Sequence, residues 1–170
     1  MSIRLISEHP DISALRVAIL EVLDANELCT LAVIGPGGLP HAATVYFCYT
    51  PELRLYFVSS RDSIHGRALT TAADVALTVY DSRQPWDGDH KGLQLLGQCR
   101  VLNRVESAKA LVTHVARFKA YGDYVHALSP AQVLRSPFRF FCVEVMQAKV
   151  FDETRFGDET FVTVRVQRHG

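Results

Sequence analysis

The sequence predicts a mostly β fold with flanking helices, an antiparallel barrel of six to seven strands built as one domain over residues 1–170. Three observations predict it. Short β-branched and aromatic runs recur between turns that carry Gly or Pro. The segment 138–151 is apolar on both faces, which in an antiparallel sheet requires the barrel interior on one side and a helix or second subunit on the other. No linker is long enough to divide the chain, and at this length roughly 70% of the unfolded surface is buried on folding.

Taken in order, Asp11 is placed to cap a helix in which Ile12, Leu15, Ile19, Val22 and Leu23 recur at helical spacing until Asp24 and Asn26. LCTLAVI (28–34) and ATVYFCY (43–49), joined through the Gly35–Gly38 turn, form a hairpin. After the turn at Thr50–Glu52, LRLYFV alternates, with Leu53, Leu55 and Phe57 on one face. A short helical excursion (63–73), limited by Gly66, leads into the strand DVALTVY (74–80). Residues 81–91 form a charged loop whose one large apolar side chain is Trp86.

GLQLLGQCRVL (92–102) is the next strand, and Gly97 within it marks a bulge or a close approach by another backbone or a ligand. Asn103 and Glu106 make a capping box for a helix with Ala108, Leu111, Val112, Val115 and Phe118 on its apolar face, ended by Tyr121 and Gly122. Residues 123–137 read as a loop or helical turn, and FVTVRVQ (161–167) as the closing strand.

Composition excludes several classes. Eighteen basic residues balance eighteen acidic ones, so no global field draws nucleic acid or an anionic membrane. The N-terminus lacks the apolar region of a signal peptide and no run approaches a membrane span, so the expected location is cytoplasmic. Cys29, Cys48, Cys99 and Cys142 are scattered in apolar runs and read as small buried hydrophobes. None of the seven histidines has the spacing of a compact metal site, so no metal is expected.

The chemistry concentrates in FVSSRDSIHGRAL (57–69), which gathers Ser59, Ser60, Arg61, Ser63, His65 and Arg67. A phosphate needs backbone N–H groups from a turn or helix start, hydroxyl donors and a cation. This segment supplies all three, with Arg67 on the same face as Ser63 four residues on. The same residues also read as a solvated polar loop, with Arg61 paired to Asp62 or Asp74.

The order of hairpin, strand, serine-basic turn, short helix, strand, loop, then a strand with Gln and Gly resembles the pyridoxamine 5′-phosphate oxidase-like, FMN-binding split-barrel superfamily over about residues 10–150. In that family the turn reads Ser-x-Lys-x-x-x-Leu, and here Ser63, His65 and Leu69 match it, followed by Val75. His65 replaces the lysine, and an imidazole is charged only below a pKa of about 6.5, so Arg61 or Arg67 is left to supply a constant charge.

The resemblance implies FMN, with its phosphate held by Ser60, Arg61, Ser63, His65 and Arg67. Ring contacts would come from Thr44, Val45 and Tyr46, from Val58 and Ser59 on the following strand, and from Gln94, near which Gly97 permits close approach. Trp86 would serve as a lid from a neighbouring subunit. Tyr46 also reads as a core aromatic, Gln94 as a barrel-surface amide and Trp86 as a locally packed loop side chain.

HKGLQLLGQCRVL, SPFRFFCVEV and FDETRFGDE are similar to an uncharacterised bacterial branch of the superfamily. The implied protein is a homodimeric flavin-dependent oxidoreductase acting on a small molecule, with no side chain marked as acid or base. The alternatives are a haem or flavin carrier or sensor, with His90 and His169 as candidate haem ligands, and a barrel that serves only as an interaction module.

Overall fold

In the computed structural model, which describes residues 2–169, strand β1 (Ser2–Ile6) is followed by helix α1 (Ile12–Ala25), whose cap Asp11 accepts a hydrogen bond from the Ala14 amide. Then come β2 (Leu28–Ile34), β3 (Pro40–Tyr49), β4 (Arg54–Ser60), the five-residue α2 (Ile64–Ala68), β5 (Ala73–Tyr80) and β6 (Lys91–Val101). Helices α3 (Arg104–Arg117), α4 (Lys119–His126) and α5 (Pro130–Arg135) separate β6 from the long β7 (Phe138–Asp152), and α6 (Glu153–Phe156) leads to β8 (Phe161–His169).

Every strand pairing is antiparallel, and the order β7-β4-β3-β2-β5-β6 returns to β7, closing a six-stranded barrel. Fifteen residues long, β7 is the seam: it pairs with β4 through Phe138–Glu144, with β6 through Phe141–Asp152, and with β8 through Gln147–Phe151. β8 and β1 extend the sheet beyond the barrel.

The alternation expected from the sequence sets what lies inside. Leu31, Phe47, Leu55, Phe57, Leu77, Leu95, Phe141 and Val143 fill the interior, together with Leu15, Ile19 and Leu23 of α1. Each large apolar side chain so buried contributes about 1.5–3 kcal/mol. Phe57 and Phe141, partners across β4 and β7, stack with centroids 5.1 Å apart. The second apolar face of β7 is covered by α3: Leu102, Ala110, Phe140 and Cys142 form a separate cluster with Tyr56, Val58, Leu111 and Tyr121. At Gly97 the register of β6 against β7 shifts, and a Cβ there would overlap the Glu144 carbonyl, so the close approach is by β7 backbone.

Three expectations are corrected. β1 is an additional strand, paired along β8 from Ser2–His169 to Ile6–Arg165. The buried face of α3 is Ala110 and His114, flanked by Leu111, whereas Val112 is 72% exposed and Ala108 also faces solvent. Counting His114 as polar turns the predicted stripe away from its real direction. Finally, Tyr121 and Gly122 do not end a helix but lie within α4; a Cβ on Gly122 would press on the Val115 side chain, so the glycine admits α3 against α4.

Candidate functional site

Outside the barrel wall of β3, β4 and β7, helices α3 to α5 enclose a cavity of about 1250 Å³, larger than the roughly 300–1,000 Å³ usual for small-molecule sites. Its barrel side is Thr44, Val45 and Tyr46 of β3, Val58 and Ser59 of β4, and Phe138, Arg139 and Phe140 of β7. The helix side brings Arg104, Leu111, His114, Phe118, Tyr121 and Tyr124, and His65 reaches in from α2.

One end is polar. β4 continues through Ser59 and Ser60, so these serines are strand residues, and the register of β4 with β7 sets Arg139 opposite Ser59. Ser59 Oγ lies 2.7 Å from His65 Nε2, and the His65 ring stacks on His41 with centroids 5.8 Å apart. Burial, and then the neighbouring His41, push the His65 pKa below its ordinary value, so this imidazole is neutral at pH 7. Arg139 NH1 donates to the carbonyls of Ser136 and Phe138 at 2.6 and 2.7 Å, which holds a permanent cation against the backbone at the start of β7, in the cavity wall.

The other end is aromatic. His114 is 4% exposed, its ring centroid 4.9 Å from Phe118, 4.5 Å from Tyr121 and 5.6 Å from Phe140. Burial pulls its pKa down to about 4. Tyr46 meets Phe118 edge-on at 5.7 Å, joining the barrel wall to the helices. Both His65 Nδ1 and His114 Nδ1 are buried without a hydrogen-bond partner, and both side chains belong to this one cavity. Buried polar atoms are paired in the great majority of cases, so two orphaned imidazole nitrogens in the residues of one cavity are exceptional.

Of the sequence-proposed residues, the cavity brings together Thr44, Val45, Tyr46, Val58, Ser59 and His65. Ser60, Arg61, Ser63 and Arg67 do not line it; they build the turn. Ser63 Oγ donates to the Ser60 carbonyl and accepts from the Gly66 amide, Ser60 Oγ accepts from the Asp62 amide, and Arg67 NH1 donates to the Asp62 carbonyl. A Cβ on Gly66 would overlap the Ser60 carbonyl, so glycine is what lets α2 fold back on β4 and deliver His65.

Gln94 points away from this cavity, into a second one of about 330 Å³ with Gln84, His90, Lys149 and Phe161. Trp86 is 93% exposed and lines neither. Both ring nitrogens of His90 are engaged, Nδ1 with Glu153 and Nε2 with the Pro85 carbonyl, and His169 ends the outlying strand β8, so neither offers a haem ligand to the large cavity.

Sequence reasoning missed Arg139 and His114. Arg139 stands beside Ser59 only through the β4–β7 register, which no local pattern encodes. His114 was detectable in principle, since it shares a helix face with Ala110 and Phe118 at four-residue spacing.

The pyridoxamine 5′-phosphate oxidase family matches residues 15–152 of the chain. No curated protein sequence is similar to it. Among solved structures, the haem-binding protein from Mycobacterium smegmatis is similar with a TM-score of 0.67 and 18% identity, over 87% of this chain; the chain spans 57% of that protein's length. The haem storage protein HutZ from Vibrio cholerae has a TM-score of 0.61 and 17% identity over 75% of this chain and 87% of its own. A protein from Clostridium acetobutylicum related to general stress protein 26 of B. subtilis, of the pyridoxinephosphate oxidase family, has a TM-score of 0.61 and 10% identity over 89% and 94%. At these identities the likeness is one of fold.

Proposed function

The chain belongs to the pyridoxamine 5′-phosphate oxidase family, and from that membership we propose that it binds FMN in the large cavity and acts as a flavin-dependent oxidoreductase. The observation that carries this reading is the polarity of one continuous cavity, with Ser59, His65 and Arg139 at one end and an aromatic box at the other. A phosphorylated, planar, conjugated molecule has the same division of character. The residues fit the group: Arg139 supplies the constant charge, Ser59 and His65 supply hydrogen-bonding partners, and His65 Nδ1 is already without one.

When bound, the flavin supplies two-electron redox chemistry. The chain's residues anchor its phosphate, exclude water from the ring through Tyr46, Phe118 and Tyr121, and leave the mouth of the cavity to a small substrate. Relative to the sequence expectation, the phosphate contacts move from Arg61 and Arg67 to Arg139. Ser60, Ser63 and Arg67 hold the shape of the turn. A homodimer belongs to the same proposal: Tyr80 and Phe161 beside the second cavity, with Leu96 and Met146 flanking the bulge, are exposed apolar side chains that a second copy would cover. No helix among the described residues is long and apolar enough to cross a membrane, in keeping with the proposed cytoplasmic location.

A second reading, haem carriage or sensing, is favoured by the cavity's size and aromatic walls and by the two haem-protein neighbours. The visible spectrum of the purified protein, followed by titration with FMN and with haemin, separates the two. Flavin bands that bleach on addition of a nicotinamide donor are expected. A Soret band with no flavin binding sinks the oxidoreductase reading, and silence with both sinks cofactor binding in this cavity.

A further inference from the structure

Resting on the flavin reading, we propose that His114 is the ring-recognition residue of the cavity, its imidazole hydrogen-bonding the polar pyrimidine edge of the flavin. Three observations converge. His114 is buried to 96% of its surface within a helix that covers the barrel, a costly place for a polar ring whose Nδ1 finds no protein partner. An apolar residue there would pack as well, so a histidine with an unmet hydrogen-bonding atom signals a partner outside the protein. The side chain also lines the cavity, in edge-on ring contact with Phe140 of the barrel wall.

The arrangement divides recognition of one molecule in two. Ser59, His65 and Arg139 read the phosphate and discriminate by charge; His114, Phe118, Tyr121 and Tyr46 read the ring and discriminate by flatness and by a hydrogen-bonding edge. A neutral imidazole carries one N–H and one bare nitrogen, so it pairs with either the imide N–H or the carbonyl edge of a pyrimidine-like ring. A purely hydrocarbon ring offers neither and would leave His114 as unpaired as it is now.

The test compares FMN with riboflavin, which has the same ring and no phosphate, by flavin fluorescence quenching with wild type, His114→Leu and His114→Gln. We expect His114→Leu to weaken both ligands by about tenfold, with their affinity ratio unchanged, and His114→Gln to recover most of that loss because it retains both a donor and an acceptor. In ¹⁵N-histidine-labelled wild type, a ring-nitrogen resonance of His114 is expected to shift on addition of either flavin, a readout independent of how the variants fold. Unchanged resonances and affinities overturn the assignment while leaving FMN binding intact. Loss of FMN affinity with riboflavin affinity retained overturns it too, by moving His114 to the phosphate. Wild type that binds neither flavin overturns both this inference and the reading on which it rests, and haemin binding whose Soret band moves in His114→Leu would then assign the residue to iron.

Discussion

The guanidinium of Arg117 lies over the Phe47 ring, 5.0 Å from its centroid, and at the same time its NH2 group donates to the Leu23 and Asn26 carbonyls at the end of α1. One side chain from α3 thereby ties the helical cover to both the barrel and the first helix. It also satisfies carbonyls that a helix C-terminus leaves without partners.

Arg117→Ala should therefore destabilise the fold by about 2–3 kcal/mol, from lost charge-assisted hydrogen bonds and the cation–π contact. Arg117→Lys should restore only part, because an ammonium cannot span several carbonyls as the planar fork does. The check is the urea midpoint at constant slope, measured for all three proteins.

At the polar end of the cavity, Arg139→Ala should weaken FMN by tenfold or more while changing riboflavin little, since it removes a cation from the cavity wall and leaves the aromatic side chains in place. Arg67→Ala should leave both affinities within about twofold, because Arg67, unlike Arg139, does not line the cavity. Equal losses for the two variants would return the phosphate to the turn.

Phosphate binding should also be proton-linked. His65 is held neutral by burial and by His41, whereas a phosphate dianion beside it favours the imidazolium. Binding then takes up a proton, so the preference for FMN over riboflavin should grow as pH falls from about 8 towards 6, above the second phosphate pKa near 6. His65→Gln should flatten that dependence in parallel fluorescence titrations.

Stability has its own pH signature. The folded state holds His114 near a pKa of about 4, and the unfolded chain near 6.5, so on acidification the unfolded chain takes up the proton first. The His114 contribution is full above pH 6.5 and lost as pH falls towards 4; between pH 7 and 5 it amounts to about 2 kcal/mol. His114→Leu should lose that part of the decline in urea melts at the two pH values.

Much of this architecture was legible because β2, β4, β5 and β6 alternate, β7 is apolar on both faces, and α1 and α3 carry their own caps, Asp11 and the Asn103–Glu106 box. What escaped depends on pairings between distant segments. β1 is five residues long, with only Ile3, Leu5 and Ile6 to announce it, and its partner β8 lies at the other end of the chain. Gly122 looked like a helix stop because its packing role needs Val115, one helix away. The turn at 57–69 was singled out, yet Arg139 in the cavity wall comes from the distant β7, and His114 was left off the apolar face of α3.

Gly97 allows a test of the seam. A Cβ there would overlap the Glu144 carbonyl, so Gly97→Ala must push β6 from β7 and should cost about 1–3 kcal/mol, visible as a lower thermal midpoint and faster amide exchange in both strands.

That same seam governs the order of events during synthesis. Until β7 has left the ribosome, β4 and β6 each wait with an open edge, and nothing earlier in the chain closes the sheet between them. Closure joins segments far apart in sequence, a slow class of contact, and exposed strand edges invite association between nascent chains while they wait. β7 is thus the step on which productive folding competes with aggregation, and chains stalled before Phe138 should be far more dependent on chaperones than chains stalled after Asp152.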